Sequence, residues 1–197
     1  MRPDLKLWAS PWTPPIWMKI NEHYSLKSHG VDKLGTGHNR LDPRRATFIH
    51  TTGFNMQVGY LEAYALYFSK YIQEYRKNGV NISMVMPQNE IAWQPAWPSC
   101  TWRPRGSGHF SSVSSWPRNL TKDGIDTEIW LGTVNYPNPD YVRAFLKDKD
   151  AAAAIDGIGV QWTGKASVTG YSARIPPLPL HADGKRMRRR GKRLDFA

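Results

Sequence analysis

The chain has 197 residues, 40% hydrophobic and 12% aromatic, with a formal net charge of +11 at pH 7. That is enough for one domain with a real core, but short of the roughly 250 residues of a complete eight-stranded α/β barrel. No run of about 18 apolar residues exists, which excludes a membrane-spanning helix. No apolar signal region is expected from the first residues, and the single Cys100 excludes an internal disulfide.

Lys6–Ala9 reads as a strand, broken by Ser10 and Pro11 and followed by a proline-stiffened loop that carries Trp12 and Trp17. Residues 20–56, rich in Gly, Asn, Asp, His and Ser, read as a long loop, a length that is usually functional or disordered. Over 58–78, Tyr60, Tyr64, Tyr67, Phe68, Tyr71, Ile72 and Tyr75 recur at three- and four-residue steps. That spacing predicts a helix with one apolar face, stopped by Asn78-Gly79. Val80–Met86 is a strand ended by Pro87, and it presents Asn89 and Glu90.

Residues 105–119 stand where a crossover helix belongs, yet they have no helical period. Thr127–Thr133 is a further strand. Pro139–Leu146 reads as a helix capped by Asn138, Ala151–Ala154 as a helix end, and Ile155–Trp162 as a last strand. Strands alternating with helices mean α/β with a parallel sheet. A carboxyl at one strand end and flat rings at another are what a sugar-cleaving barrel needs. The acid protonates a leaving oxygen, and the rings hold the apolar faces of pyranose units.

The six histidines show no metal-ligand spacing, and Gly35-Thr36-Gly37 has no feeding strand to make it a dinucleotide fingerprint. No metal or organic cofactor is expected. Trp93, Trp97 and Trp102 read as loop packing, and Asn135 as a loop residue. The charge is uneven: from residue 165 on there are nine Lys/Arg against two Asp. Such a tail, Arg186–Arg193 above all, suits nucleic acid or an anionic surface, which is the competing function class. No specific nucleic-acid partner is expected.

Five pieces resemble glycoside hydrolase family 30, the glucosylceramidase-like barrels: residues 9–19 (Ala-Ser-Pro-Trp-Thr-Pro-Pro-Ile-Trp-Met-Lys), 87–90 (Pro-Gln-Asn-Glu), 97–102, 129–135 and 155–162. With the helix at 58–78 they cover most of residues 5–164. The resemblance implies a partial (β/α)8 barrel, about strands three to six, over residues 1–164, with the accessory β-sandwich missing. It implies a retaining glycosidase that acts on a β-linked glucoside or glucan. Glu90 would be the general acid/base, Asn89 the partner of the sugar 2-hydroxyl, and Trp12, Trp17, Gln161 and Trp162 the substrate-binding residues. Ile91 departs from the family, which usually has proline there. A retaining enzyme needs a second carboxylate as nucleophile, and from residue 165 to 197 there is no Glu.

Residues 165–197 are read as a basic, irregular, out-of-frame tail. Back-translation of 182–196 with permitted codons, read one nucleotide later, yields Arg-Met-Glu-Ser-Glu-Cys-Gly, a string that suits the missing nucleophile segment. The coding DNA checks this. The expected outcome is a neighbouring frame that encodes a Glu beside Cys-Gly, and its absence ends the idea.

Overall fold

Short apolar runs bounded by turn residues become the strands. The computed structural model describes residues 5–28, 39–48, 51–104 and 120–167, with the backbone of 180–182, 185–187, 189–190 and 193–194. Strands β1 (Leu7–Ala9), β2 (Ile82–Val85), β3 (Glu128–Val134), β4 (Gly157–Val160) and β5 (Leu180–Ala182) lie side by side in that order, all parallel. β6 (Lys185–Met187) returns antiparallel to β5, and β7 (Arg189–Arg190) pairs with β8 (Arg193–Leu194) separately. The expected α/β order with a parallel sheet is therefore what forms. The strands after residue 164 were not expected. Each has two or three residues, too few for a period of two to register in the sequence. Residues 105–119, the Gly35–Gly37 turn and most of the basic tail lie outside the described residues.

Helix α1 (Val58–Lys77) connects β1 to β2. Its end is a Schellman motif: the N–H of Val80 reaches the carbonyl of Tyr75 at 2.9 Å and that of Gly79 reaches Arg76 at 3.0 Å, with Gly79 at φ +77°. The buried face is Leu61, Tyr64, Ala65, Phe68, Ser69 and Ile72. This is rotated from the tyrosine stripe the spacing suggests, and Tyr67 and Tyr75 are exposed. A phenol can bury its ring edge and keep its hydroxyl wet, so tyrosines collect at the border of an apolar face. Tyr64 is the buried one, and its hydroxyl donates to the Pro87 carbonyl at 2.8 Å. That bond ties α1 to the end of β2.

Between β3 and β4 run α2 (Pro139–Leu146) and α3 (Lys149–Ala154). Asn138 caps α2 by accepting from the Asp140 amide, and Asp148 caps α3 by accepting from the amides of Asp150 and Ala151. Tyr141, Val142 and Phe145 of α2 join the main core with Ile129 and Leu131 of β3 and Ile158 and Val160 of β4. A second, smaller cluster of Met84, Met86 and Trp130 is separate from it. Glycines of β4 make room for these large side chains. A Cβ on Gly157 would stand 2.5 Å from the Trp130 indole, and one on Gly159 would meet the Gly132 carbonyl and lie 2.9 Å from the Met86 methyl.

Gly159→Ala is therefore expected to destabilise the fold by about 1–3 kcal/mol, because a neighbouring backbone oxygen cannot swing aside. Urea unfolding of the two proteins measures it, and an unchanged midpoint would contradict this packing.

Candidate active site

Parallel strands bring their C-terminal ends to one edge of the sheet, and hydrogen bonds continue past the strands. The Met86 amide reaches the Ala9 carbonyl at 2.9 Å and the Asn89 amide reaches Pro11 at 2.8 Å. Thr133 N–H reaches Gln88 at 3.2 Å, and Gln161 N–H reaches Val134 at 3.0 Å. Segments that are 27 to 78 residues apart in sequence are joined here.

Glu90 and Asn89 are each 8% exposed. Glu90 Oε1 accepts a 2.9 Å hydrogen bond from Gln161 Nε2. The Glu90 amide donates to Thr133 Oγ1 at 2.8 Å, and the Thr133 hydroxyl donates to Asn89 Oδ1 at 2.7 Å. Gln88, fully buried, donates from Nε2 to the Trp12 carbonyl at 2.8 Å and so fixes the start of the tryptophan loop. Glu90 holds left-handed backbone at φ +48°, as does Trp162, next to Gln161, at +50°. Non-glycine residues in that region cost of order 1–3 kcal/mol each and cluster at functional sites.

Of the residues that follow β1, β2, β3 and β4 (10–13, 86–90, 135–138 and 161–164), Glu90 is the only carboxylate. Glu128 and Asp156 stand at the opposite ends of β3 and β4, where Glu128 accepts from the Trp130 indole N–H and Asp156 from the Ile129 amide. Burial pushes the Asp156 carboxyl up from its ordinary range. Among the described residues, no group of three or more His, Cys, Asp or Glu is placed to hold a metal.

The predicted site residues separate into three groups. Glu90 and Gln161 are hydrogen-bonded, and Asn89 is joined to Glu90 through Thr133. Trp12, 41% exposed, and Trp162, 70% exposed, follow the anchored segments and carry open rings. Trp17 is held apart from these contacts: its ring rests on Tyr60 of α1, centroids 6.0 Å apart. Of the three tryptophans read as loop packing, only Trp102 is buried, stacked on Phe54 at 4.7 Å, whereas Trp93 and Trp97 are exposed. Ile91, at the position where proline was expected, is fully buried, and its side chain lies against Gly132. Its carbonyl accepts from the Trp102 amide and the Tyr141 hydroxyl, so the loop after Glu90 closes on itself.

No family model matches the chain. An endo-1,6-β-D-glucanase of Aspergillus fumigatus is 31% identical over 169 residues, which is 83% of this chain and 32% of that protein. A Caenorhabditis elegans protein named as a glucosylceramidase is 27% identical over 80% of this chain and 27% of its own length. Among solved structures, an endo-β1,6-glucanase superposes with a TM-score of 0.63 at 23% identity, over 92% of this chain and 37% of that one. A glycoside hydrolase family 30 xylanase of Clostridium acetobutylicum gives 0.55 at 23% identity, over 81% and 34%. The chain is related to the glycoside hydrolases of family 30. It spans about a third of the length of the curated relatives it matches.

Sequence reasoning missed Gln88, Thr133, Tyr141 and Lys19, because each acts through a partner on another segment. Lys19 is 2% exposed. Its Nζ donates to Ser99 O at 2.6 Å, Tyr24 O at 2.7 Å and Thr13 Oγ1 at 3.2 Å, clamping the tryptophan loop to the loop that follows Glu90. Burial pushes the Lys19 amine down to about 8 and the neighbouring Cys100 thiol up to about 12.

The folded protein thus carries a buried cation below about pH 8. As the pH rises from about 8 to the ordinary value of 10.5, folded Lys19 is neutral while unfolded Lys19 still binds a proton. Stability attributable to this residue therefore rises with pH over that window, by up to roughly 3 kcal/mol. Subtracting the unfolding free energy of Lys19→Met at each pH isolates it, and a flat difference would refute the burial of charge.

Proposed function

We propose that the cluster is the acid/base half of a retaining β-glycosidase site, set in part of a (β/α)8 barrel. The observation that carries this reading is the Glu90 carboxyl, buried at the C-terminal edge of a parallel sheet and held by Gln161 at 2.9 Å. Barrel enzymes keep their chemistry at that edge. The relatives named as endo-1,6-β-glucanases and glucosylceramidases support a β-linked glucoside or glucan as substrate.

In the reaction, Glu90 in its acid form gives its proton to the glycosidic oxygen as the bond to the anomeric carbon breaks. A second carboxylate attacks that carbon from the other face and forms a glycosyl-enzyme. Ionised Glu90 then takes a proton from water, which displaces the carboxylate and restores both groups. Gln161 orients the Glu90 carboxyl, Asn89 bonds the sugar 2-hydroxyl, and Trp12 and Trp162 stack on the sugar ring. The nucleophile must stand roughly 5–5.5 Å from Glu90, and no second carboxylate is among the residues that follow β1, β2, β3 and β4. A polypeptide of these 197 residues is therefore expected to bind sugar without cleaving it.

Fluorescence titration with gentiobiose tests the binding. Saturable binding is expected, with Trp12→Ala and Trp162→Ala each weakening it about 3- to 10-fold, the worth of one aromatic contact. Quenching that never saturates, or that ignores both substitutions, would remove the sugar site. Turnover of a chromogenic β-glucoside, abolished by Glu90→Gln, would overturn the inactivity but keep the role of Glu90.

A further inference from the structure

Thr133 lies within β3, 3% exposed, in the 129–135 piece, where the sequence assigned it no role. Its hydroxyl oxygen sits 2.8 Å from the Glu90 amide nitrogen and 2.7 Å from the Asn89 side-chain oxygen. The amide can only donate, so the hydroxyl oxygen is its acceptor. The hydroxyl has one proton of its own, and that proton needs an acceptor. If Asn89 turned its NH2 inward, two donors would face the hydroxyl, and the Thr133 proton would be buried without a partner, a cost of about 1–3 kcal/mol. The arrangement that satisfies every group has Oδ1 of Asn89 facing Thr133 and its NH2 directed away.

We infer that Thr133 is the positioning residue of this site. Its single hydroxyl decides which end of the Asn89 amide faces the ligand, and it holds the Glu90 backbone in its left-handed turn. The site consequently offers the ligand an N–H donor at Asn89, and the ligand group opposite it must be an acceptor oxygen. This rests on the glycosidase reading, in which that oxygen is the sugar 2-hydroxyl. It extends the reading by making discrimination for that hydroxyl a property of a buried strand residue that need not touch the sugar. The acid and the sugar contact are also coupled, since both hang on the same oxygen.

Two measurements on the whole chain test it, with Thr133→Val removing the hydroxyl at nearly constant size and Thr133→Ser restoring it. The first needs no ligand. Hydrogen exchange of the Glu90 amide is expected to be slow in the wild type and in Thr133→Ser, and at least about tenfold faster in Thr133→Val. The second compares methyl β-glucoside with its 2-deoxy analogue by NMR titration. The wild type and Thr133→Ser are expected to prefer the glucoside by roughly tenfold, and Thr133→Val to lose that preference while binding the 2-deoxy sugar as the wild type does. Equal weakening of both sugars, or a Glu90 amide that stays protected in Thr133→Val, overturns the proposal. If Thr133→Val does not fold, Thr133→Ala serves in both arms with the same expectations. A wild type that binds neither sugar defeats the glycosidase reading, and the exchange measurement then decides alone whether Thr133 holds the pair.

Discussion

The hydrogen-bond ladder that runs past the ends of the strands is what the site depends on. Pro11 accepts from Asn89, Gln88 accepts from Thr133, and Val134 accepts from Gln161. In a parallel sheet these ends lie together by construction, and the extension of β2 pairs with β1 on one side and β3 on the other. The side chains then have little freedom. Glu90, Asn89, Thr133 and Gln161 come within hydrogen-bond reach because their backbones are already joined. The left-handed turns at Glu90 and Trp162 are sustained by the same bonds, since strained residues persist only where their surroundings over-determine them.

Two buried polar side chains stabilise the loops around that ladder. Lys19 has all three of its donors satisfied by loop oxygens, and Tyr141 closes the 91–102 loop through the carbonyls of Ile91 and Trp102. Each replaces what would be an apolar contact by a directional one. A satisfied buried network specifies geometry more sharply than it adds stability, and it is costly when any member is lost. Apolar packing behind it comes from α1 and α2, whose Tyr64, Phe68, Tyr141 and Phe145 fill the space against the sheet. Bulk hydrophobic burial sets the positions of the elements, and the polar clamps set the shape of the edge.

The chain is related to the glycoside hydrolases of family 30, and it corresponds to about a third of the length of the curated relatives it matches. That share brings together one buried carboxyl, the amide bonded to it, a neighbouring amide side chain and two exposed indoles. A glycosidase divides its work between two carboxylates with different environments, one that holds a proton and one that stays ionised. The proposed role of Glu90 is the first of these.

Local physics was legible in the residues. Pro87 after a β-branched run marked the end of β2, Asn138 and Pro139 marked the start of α2, and Asn78-Gly79 marked the end of α1, because caps and breakers act within a few residues. Asn89 and Glu90 were visible for the same reason, as polar residues just beyond an apolar strand. The rotation of the buried face of α1 was not legible, since tyrosine suits both the core and its border. Nor was the setting of Trp17 against Tyr60, which depends on where a loop meets a helix. Least visible were Thr133 and Gln88, whose importance lies wholly in partners on other segments. The sequence by itself determined where the strands and helices run before residue 164 and which carboxyl stands just beyond β2. Only the tertiary structure decided which hydroxyl and which amides surround that acid, because hydrogen bonds between distant strands leave no periodic trace along the chain.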